Sequence, residues 1–231
     1  MATDGFWNQP DVVERFAARE PDHRLAELAP ALAAELGGAG AVAILDLGCA
    51  AGRNTVYLAE RGFDVRAVDS AGAMVERTRA RLSPIVGAEE AARRVRRGSM
   101  DDLSAFANGS FDLVIALGIF HNASSPDEWY RAAGEAVRVL GPGGRLLVAH
   151  FTPETDLTGK GIEPVPGVDN LYSGFHSGYA VLLDAEALDR GFAALGLEPE
   201  VASDTVRVEM EVGRRVVVNA LYRKPGSLDL S

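Results

Sequence analysis

The sequence predicts an α/β protein in which a parallel β-sheet is covered by helices on both faces. From Ala41 onward, short apolar runs rich in Val, Ile and Leu alternate with amphipathic segments. These runs are too short and too β-branched for buried helices, and strands that alternate with helices are typical of a parallel sheet. The last two runs differ, because they flank a glycine and alternate with polar residues, which predicts an antiparallel hairpin.

The front of the chain, up to about Gly40, has a helical period. Apolar residues recur there at steps of three and four: Leu25, Leu28, Ala29, Leu32 and Leu36. Pro30 lies inside this pattern, and we expect it to kink or split the helix because proline lacks the N–H that the helix needs.

The middle of the chain repeats the order strand, then helix. "AVAILDLG" leads into a helix that begins near Asn54, and "FDVRAVD" leads into "AGAMVERTRARL". "RVRRGS" predicts a short strand, "FDLVIALG" precedes the helix "SPDEWYRAAGEAVRVL", and "GGRLLVAHF" follows that helix. Ser125 is suited to cap that helix, with Pro126 at a position where its missing N–H costs nothing.

The segment 152–179 is rich in Gly and Pro and contains several aromatic residues, which predicts a long functional loop. A helix, "DAEALDRGFAALG", follows it. The alternation in "TVRVEMEV", with Gly213 as a turn, then predicts a hairpin that closes the sheet edge.

Composition excludes several classes of function. The chain has 231 residues, and 23 Lys and Arg against 33 Asp and Glu give a formal charge of −10, which disfavours binding to nucleic acid. The single cysteine, Cys49, excludes an internal disulfide, and no CxxC or HExxH motif indicates a metal site. The N-terminus does not resemble a signal peptide, and no run approaches the roughly 20 apolar residues that span a bilayer. We therefore expect a soluble, cytoplasmic protein without a metal.

The stretch "ILDLGCAAGRNTVYLAERGFDVRAVD" carries the strongest functional signal. A dinucleotide site requires GxGxxG, but here Gly48 is followed by Ala50, and Arg53 occupies the third glycine position. Asp69 follows Gly48 by about 20 residues, the spacing at which an acid accepts both hydroxyls of a ribose. The pattern favours a nucleoside without a pyrophosphate. The loop's backbone N–H groups, with Arg53 and Asn54, are expected to face an anion.

Four ordered motifs in residues 41–151 resemble the class I S-adenosylmethionine-dependent methyltransferases. They are "LDLGCAAGRN", "VRAVDSAGAMVERTRARL", "SFDLVIALGIFHN" and "AVRVLGPGGRLLVAHF". "GRNTVYLAERGFDV" and the hairpin that ends in "ALYRK" are also similar to the tellurite-resistance branch. The resemblance implies a Rossmann-like, doubly wound, mostly parallel sheet of seven strands with an antiparallel C-terminal hairpin.

The resemblance also implies a cofactor, S-adenosylmethionine, and a set of residues around it. The glycine-rich loop lies against its methionine part, the acid after the second strand binds ribose, and residues after the third strand frame adenine. Carried over, the cofactor-binding residues are Asp46, Gly48, Ala50, Gly52, Arg53, Asn54, Asp69, Ser70, Ser99, Met100, Asp101, Leu117 and Trp7. Two positions depart from the family: Ala50 replaces a glycine, and Ser99 stands where Asp is common, so that the adenine amino group meets a hydroxyl or depends on Asp101. The alternative interpretation is a tight turn with Asp69 as a helix cap.

Four residues are candidates for catalysis. His121 follows the fourth strand at the carboxyl edge of the sheet, where the family often has a histidine, and His150 ends the fifth strand at the same edge. His176 and Tyr172 lie in the aromatic loop. A histidine is suited to act as a general base near neutral pH. Each of the three histidines is alternatively a packed or hydrogen-bonded structural residue.

We interpret the chain as one domain, 1–231, with four parts. Residues 1–40 form a helical cover, 41–151 the cofactor-binding core, 152–179 a lid on the substrate side, and 180–231 a C-terminal helix and hairpin. Both 1–20 and 152–179 are expected over the carboxyl ends of the first and fourth strands. Trp7 and Tyr172 are favoured as cover residues, whereas Phe16 is favoured as core because it shares a helical face with Val12 and Val13.

The sequence therefore favours an enzyme that transfers a methyl group from S-adenosylmethionine to a small molecule through O, N, S or a chalcogen. Two alternatives stay open. One is a nicotinamide-dependent oxidoreductase, against which the missing glycines count. The other is a non-catalytic, S-adenosylmethionine-binding regulatory protein. Methylation of RNA or protein is disfavoured by the acidic charge, and the oligomeric state is not indicated.

Overall fold

The computed structural model describes residues 3–175 and 178–226, and the predicted α/β architecture is confirmed. The helices in these ranges are α1 Thr3–Trp7, α2 Pro10–Ala17, α3 His23–Leu36, α4 Arg53–Ala59, α5 Gly72–Val86, α6 Ala88–Arg94, α7 Pro126–Val139 and α8 Ala185–Ala194. The strands are β1 Ala43–Leu47, β2 Asp64–Asp69, β3 Val95–Arg97, β4 Phe111–Leu117, β5 Leu140–Phe151, β6 Glu163–Pro164, β7 Leu171–Phe175, β8 Gly178–Val181, β9 Glu198–Pro199, β10 Asp204–Glu209 and β11 Arg214–Arg223.

Seven strands form the main sheet in the order β10, β11, β5, β4, β1, β2, β3, and the two-residue β9 adds to β11. Neighbours among β1 to β5 in this order run parallel. β11 is antiparallel to β5, and β10 is antiparallel to β11. The predicted mostly parallel sheet with an antiparallel C-terminal hairpin is thus confirmed.

Helices cover both faces of the sheet, each over its own apolar core. On one face, Trp129 of α7 and Phe192 of α8 pack in one buried cluster with Val114 and Val148 of the sheet. The other face buries α3, α4, α5 and α6 against β1, β2 and β4 in a second cluster. The strands are therefore apolar on both faces, as their nearly continuous apolar sequences predict.

The helix α3 continues through Pro30, so the predicted split is wrong, whereas the kink stays a prediction. Proline cannot donate to the carbonyl of Ala26, four residues earlier in the helix. The hydroxyl of Tyr57 on α4 lies 3.5 Å from that carbonyl oxygen and donates to it. A residue distant in sequence therefore supplies the donor that Pro30 lacks.

The α7 helix begins as predicted, since the Ser125 side chain accepts a hydrogen bond from the Glu128 N–H. The arginines at the end of α6 form ion pairs on the surface: Arg93 pairs with Glu89 and Glu90, and Arg94 with Glu90. Within the described ranges, no helix has the length and apolar character needed to cross a membrane.

The segment 152–179 differs from the predicted loop. Its described part contains β6, β7 and β8, which form a separate three-stranded antiparallel sheet. This small sheet lies beside the carboxyl end of β5, where the Leu183 N–H donates to the Phe151 carbonyl at 3.2 Å. The alternation that would predict short strands is obscured in the sequence by the surrounding Gly and Pro residues.

Candidate functional site

A cleft of about 270 Å³ opens at the carboxyl ends of the central parallel strands. Gly48 follows β1, Asp69 ends β2 and Leu117 ends β4, and all three lie in its walls. This is the edge at which open α/β sheets bind ligands. The walls contain eleven of the thirteen residues for which the family resemblance implies cofactor contacts: Trp7, Asp46, Gly48, Ala50, Arg53, Asn54, Asp69, Ser70, Ser99, Met100 and Leu117.

Most backbone N–H groups of the loop between β1 and α4 donate hydrogen bonds to acceptors within the protein. The N–H groups of Gly48 and Cys49 both donate to the Val68 carbonyl, at 2.8 and 3.1 Å. The Gly52 N–H donates to the Cys49 carbonyl, and the Ala50 N–H donates to the Asp69 carboxylate. The expectation that these N–H groups face an anion is therefore not supported for these four residues. Cys49 is buried, in agreement with its interpretation as a small core residue.

The two small residues Ala50 and Gly52 have different roles in the loop. Ala50 has a φ of 48°, a left-handed conformation that favours glycine. Gly52, with a φ of 80°, faces away from the cleft, and an added Cβ would lie 2.7 Å from the methyl carbon of Thr78 on α5. Gly52 therefore permits close packing of the loop on α5, and its contact with the cofactor stays a prediction.

Asp46 is almost completely buried near the end of β1. The hydroxyl of Thr55 on α4 donates to its carboxylate at 2.7 Å. Burial raises the pKa of Asp46 to about 6, although the hydrogen bond from Thr55 and the charge of Arg53 act in the opposite direction. A cationic ligand in the cleft would lower this pKa and favour the carboxylate.

Asp69 connects the second strand to the loop. One carboxylate oxygen accepts from the Ala50 N–H at 2.8 Å, and the other accepts from the Ala71 N–H at 2.9 Å. Burial raises its pKa, while these backbone hydrogen bonds lower it. Ala71 is the residue before α5, so Asp69 does organise the start of that helix, as the alternative interpretation supposed. It nevertheless lies in the cleft wall, and a carboxylate oxygen can accept more than one hydrogen bond.

The wall after β3 contains Ser99 and Met100, but not Asp101. The Ser99 hydroxyl donates to the Asp101 carboxylate, which also pairs with Arg131 of α7 at 3.3 Å. Asp101 therefore accepts a hydrogen bond from Ser99 but does not itself line the cleft. Its position does not support the predicted direct contact with the cofactor.

Two aromatic rings of the N-terminal segment form the outer wall. Trp7 lies in the cleft wall as expected, and its ring meets that of Phe16 edge to face, with centroids 5.4 Å apart. Phe16 packs against the buried cluster of Val12 and Val13, as its interpretation as core predicts, and it also lines the cleft. The predicted buried face of α2 is confirmed for Val12 and Val13. Phe16 lies near the end of that helix, where α2 meets the cleft.

His150 lies in the core and outside the cleft wall. Trp129 donates to its Nε2 at 3.0 Å, so its Nδ1 carries the proton and donates to the Phe151 carbonyl at 2.9 Å. Burial lowers the pKa of His150 to about 4. With both nitrogens occupied and no exposure, the geometry favours the structural alternative over a general base.

The other catalytic candidates that the structure describes, His121 and Tyr172, also lie outside the cleft wall. His121 is 6% exposed, and its ring stacks on Phe151 with centroids 4.1 Å apart. Its neighbour Asn122 does line the cleft. Tyr172 lies on β7, paired with Ala180 and Pro164 in the small sheet, and is not part of the cleft wall. Its role as a cover residue stays a prediction. His176 lies outside the described residues.

Sequence reasoning missed three polar residues of the wall: Arg19, Asn122 and Glu128. Asn122 was detectable as the residue after the fourth-strand histidine. Glu128 lies in the first turn of α7, and its carboxylate accepts from the Ser124 N–H at 2.8 Å. Arg19 follows α2 and gave no signal of its own. Among the described residues, no group of three or more His, Cys, Asp or Glu side chains is placed to hold a metal ion.

Part of the chain is similar in sequence to known methyltransferases. Residues 45–148 match the sequence profile of the methyltransferase domain family. A ubiquinone biosynthesis O-methyltransferase from Xanthomonas oryzae pv. oryzae (strain PXO99A) is 34% identical over 106 residues, which cover 46% of this chain and 41% of the relative. The match thus spans less than half the length of that relative.

Solved structures show the same fold over most of the chain. The CcbJ methyltransferase from Streptomyces caelestis covers 98% of this chain and 100% of its own, at 20% identity and a TM-score of 0.64. The 1,6-didemethyltoxoflavin-N1-methyltransferase from Burkholderia thailandensis, solved with 1,6-didemethyltoxoflavin and S-adenosylhomocysteine, covers 87% of this chain and 78% of its own, at 24% identity and a TM-score of 0.60. At these identities the similarity shows the fold alone.

Proposed function

We propose that the chain transfers a methyl group from S-adenosylmethionine to a small-molecule nucleophile. The match of residues 45–148 to the methyltransferase domain family supports this proposal. The acceptor atom is oxygen, nitrogen, sulfur or a chalcogen, and the second product is S-adenosylhomocysteine. The observation that carries this proposal is the position of Asp69 at the carboxyl end of β2, in one cleft wall with the loop after β1. The narrower likeness to the tellurite-resistance branch, the four-part division of the domain and the cytoplasmic location stay predictions.

The residues of the cleft fit the proposed cofactor. Asp69 can accept hydrogen bonds from ribose hydroxyls, and Met100 and Leu117 provide apolar surface for adenine. The acidic wall formed by Asp46 and Asp69 suits a ligand with positive charge, and Arg53 provides a cation for its carboxylate. The bound cofactor supplies a methyl group that its positively charged sulfur has already activated.

Most of the catalysis then comes from positioning and from exclusion of water. Trp7 and Phe16 close the outer wall over the loop, and their rings offer an apolar, electron-rich surface beside a cation. An acceptor held in line in such a site gains a high effective concentration. A nucleophile that carries a proton needs a base. Among the predicted candidates, His121 directly precedes a residue of the cleft wall, Asn122.

Two alternative functions are separable from this proposal. A nicotinamide-dependent oxidoreductase would bind a dinucleotide, whereas Ala50 and Arg53 occupy the positions where that motif requires glycine. A regulatory protein would bind the cofactor without turnover. No geometric feature of the cleft favours either of them over methyl transfer.

Calorimetric titration of the purified protein with S-adenosylmethionine, S-adenosylhomocysteine and NADH tests the proposal. We expect micromolar binding of the first two and a loss of at least about tenfold in affinity for Asp69→Ala. Asp127→Ala, which removes an exposed carboxylate at the start of α7, is the matched control and should bind like wild type. Thermal unfolding of each variant establishes that it is folded.

The outcomes separate the three functions. Binding of NADH alone would overturn the methyltransferase proposal. Binding of S-adenosylmethionine without formation of S-adenosylhomocysteine, across a screen of small-molecule acceptors, favours the regulatory alternative. Turnover in that screen supports methyl transfer, and His121→Ala then tests the predicted base.

A further inference from the structure

The cleft has walls of opposite charge. Asp46 and Asp69 lie on the sheet side, at the ends of β1 and β2. Arg19, just after α2, lies in the wall on the side of the N-terminal cover, and Arg53 lies in the loop wall. Glu128 adds a third acid to the lining, so the two arginines are a positively charged part of a cleft that also contains acids.

Arg19 is held in place by an aromatic ring. Its guanidinium lies 4.0 Å from the centroid of the Phe16 ring, which itself lines the cleft. The guanidinium of Arg15 lies 6.0 Å from the same ring centroid. An arginine stacked on an aromatic ring keeps its planar face fixed while its N–H donors stay available for a carboxylate or phosphate.

The acids of the N-terminal segment do not neutralise these arginines. Glu14 pairs with Arg77 at 2.9 Å, and Asp22 pairs with Arg24 at 2.9 Å. Among the side chains that the structure describes, no carboxylate oxygen lies within 4.0 Å of a guanidinium nitrogen of Arg15, Arg19 or Arg53.

The positive charge extends beyond this pair. Partial burial lowers the pKa of Arg19 from its ordinary value, and the charges of Arg53, Arg15 and Arg215 lower it further. The like charges of these three arginines therefore act on Arg19, and Arg53 also shares the cleft wall with it. An anion bound beside Arg19 would offset this repulsion.

The proposed cofactor leaves part of this charge unused. S-adenosylmethionine contains one carboxylate, and Arg53 lies in the loop against which its methionine part is expected. Arg19, in the N-terminal segment with Trp7 and Phe16, is then available to a second anionic group. On the basis of the proposed function, we infer that the methyl acceptor is an anion and that Arg19 binds its carboxylate or phosphate group at the cleft mouth.

Ligand-observed NMR titrations of the S-adenosylhomocysteine complex test this inference. The probes share one ring and differ in charge: benzoate, phenyl phosphate and neutral benzamide. The proteins are wild type, Arg19→Gln, Arg53→Gln and, as the matched control, Arg93→Gln, which removes an exposed arginine already paired with Glu89 and Glu90. Calorimetry gives the affinity of each protein for S-adenosylhomocysteine.

We expect at least one anionic probe to bind wild type about tenfold more tightly than benzamide. Arg19→Gln should remove most of this preference and leave the affinity for S-adenosylhomocysteine within about twofold of wild type. Arg53→Gln should show the reverse pattern, and Arg93→Gln neither change. The tighter of benzoate and phenyl phosphate indicates which anionic group the acceptor carries.

Several outcomes would overturn the inference. Equal affinity for the three probes, or no detectable binding of any, removes the anion site. A large loss of S-adenosylhomocysteine affinity in Arg19→Gln assigns this arginine to the cofactor's carboxylate. An equal effect of Arg93→Gln means that only general charge is involved. If wild type does not bind S-adenosylhomocysteine at all, the calorimetry identifies the failure as that of the proposed function itself.

Discussion

The carboxylate of Asp69, at the end of β2, accepts a hydrogen bond of 2.8 Å from the backbone N–H of Ala50, in the loop after β1. This bond joins the two features that the sequence singles out, the acid at the ribose spacing and the small-residue loop. Ala50 has a positive φ of 48°, so the loop is held in a conformation that its residue does not favour. Acid and loop therefore form one structural unit.

Asp69→Ala should lower the free energy of unfolding of the protein without ligand. The substitution leaves the N–H groups of Ala50 and Ala71 without their acceptors, and an unsatisfied buried donor costs about 1–3 kcal/mol. Urea unfolding at neutral pH measures the difference, with Asp127→Ala as the exposed control. Equal stability of Asp69→Ala and the control would show that this bond does not hold the loop.

Ala50→Gly should stabilise the protein. Glycine adopts a positive φ without steric cost, whereas the left-handed conformation costs other residues about 1 kcal/mol. The greater conformational freedom of glycine in the unfolded chain offsets part of this gain. We expect a net gain of about 0.5 kcal/mol in urea unfolding. Ala73→Gly, a substitution inside α5, should destabilise instead. A loss of stability in Ala50→Gly comparable to that in Ala73→Gly would contradict the prediction.

The affinity for S-adenosylmethionine should rise with pH through the pKa of Asp46. Burial raises this pKa to about 6, so the carboxyl is mostly neutral at lower pH. A ligand with a positively charged sulfur favours the carboxylate, so its binding releases a proton below that pKa. Between about pH 7 and pH 5 the affinity should fall by up to about tenfold.

Calorimetry at several pH values, in buffers that differ in ionisation enthalpy, measures both the affinity and the released protons. S-adenosylhomocysteine, which lacks the charge on sulfur, should depend less on pH. Asp46→Asn should remove the dependence that this carboxyl causes. An unchanged dependence in Asp46→Asn would assign it to another group, with Asp69 the first candidate because its pKa is also raised by burial.

His150 should make the fold less stable in acid. Burial lowers its pKa to about 4 from 6.5, so between these values the unfolded chain binds a proton that the folded chain does not. The contribution of neutral His150 to the free energy of unfolding is fully present above pH 6.5 and is lost as pH falls. The loss amounts to roughly 2–3 kcal/mol at pH 4.5. Asp46 acts in the opposite direction, because its raised pKa reduces stability as pH increases from about 4 to about 6.

The two effects are separated by comparing wild type with His150→Gln in urea at pH 7.5 and pH 4.5. Glutamine can accept from Trp129 but does not titrate, while Asp46 is present in both proteins. The stability advantage of wild type should therefore shrink by the stated amount in acid. A constant difference between the two proteins would show that His150 is not buried in its neutral form.

Local patterns in the sequence determined the backbone of the core. Period-two and period-3.6 apolar patterns, together with the capping residue Ser125, predicted the strands and helices in their order. The spacing of Gly48 and Asp69 placed the cleft at the correct edge of the sheet. These features depend on residues that are close in sequence, so they can be read from the sequence directly.

Only the tertiary structure decided which side chains reach the cleft. Gly52 packs toward Thr78, Phe16 lines the cleft as well as packing on the core, and Arg19 lies in the wall just after α2. The hydrogen bond from Tyr57 to the Ala26 carbonyl, which Pro30 cannot make, likewise comes from another helix. Each outcome depends on the position of one element relative to a distant one. Contacts between distant elements are set by packing, which no local pattern records.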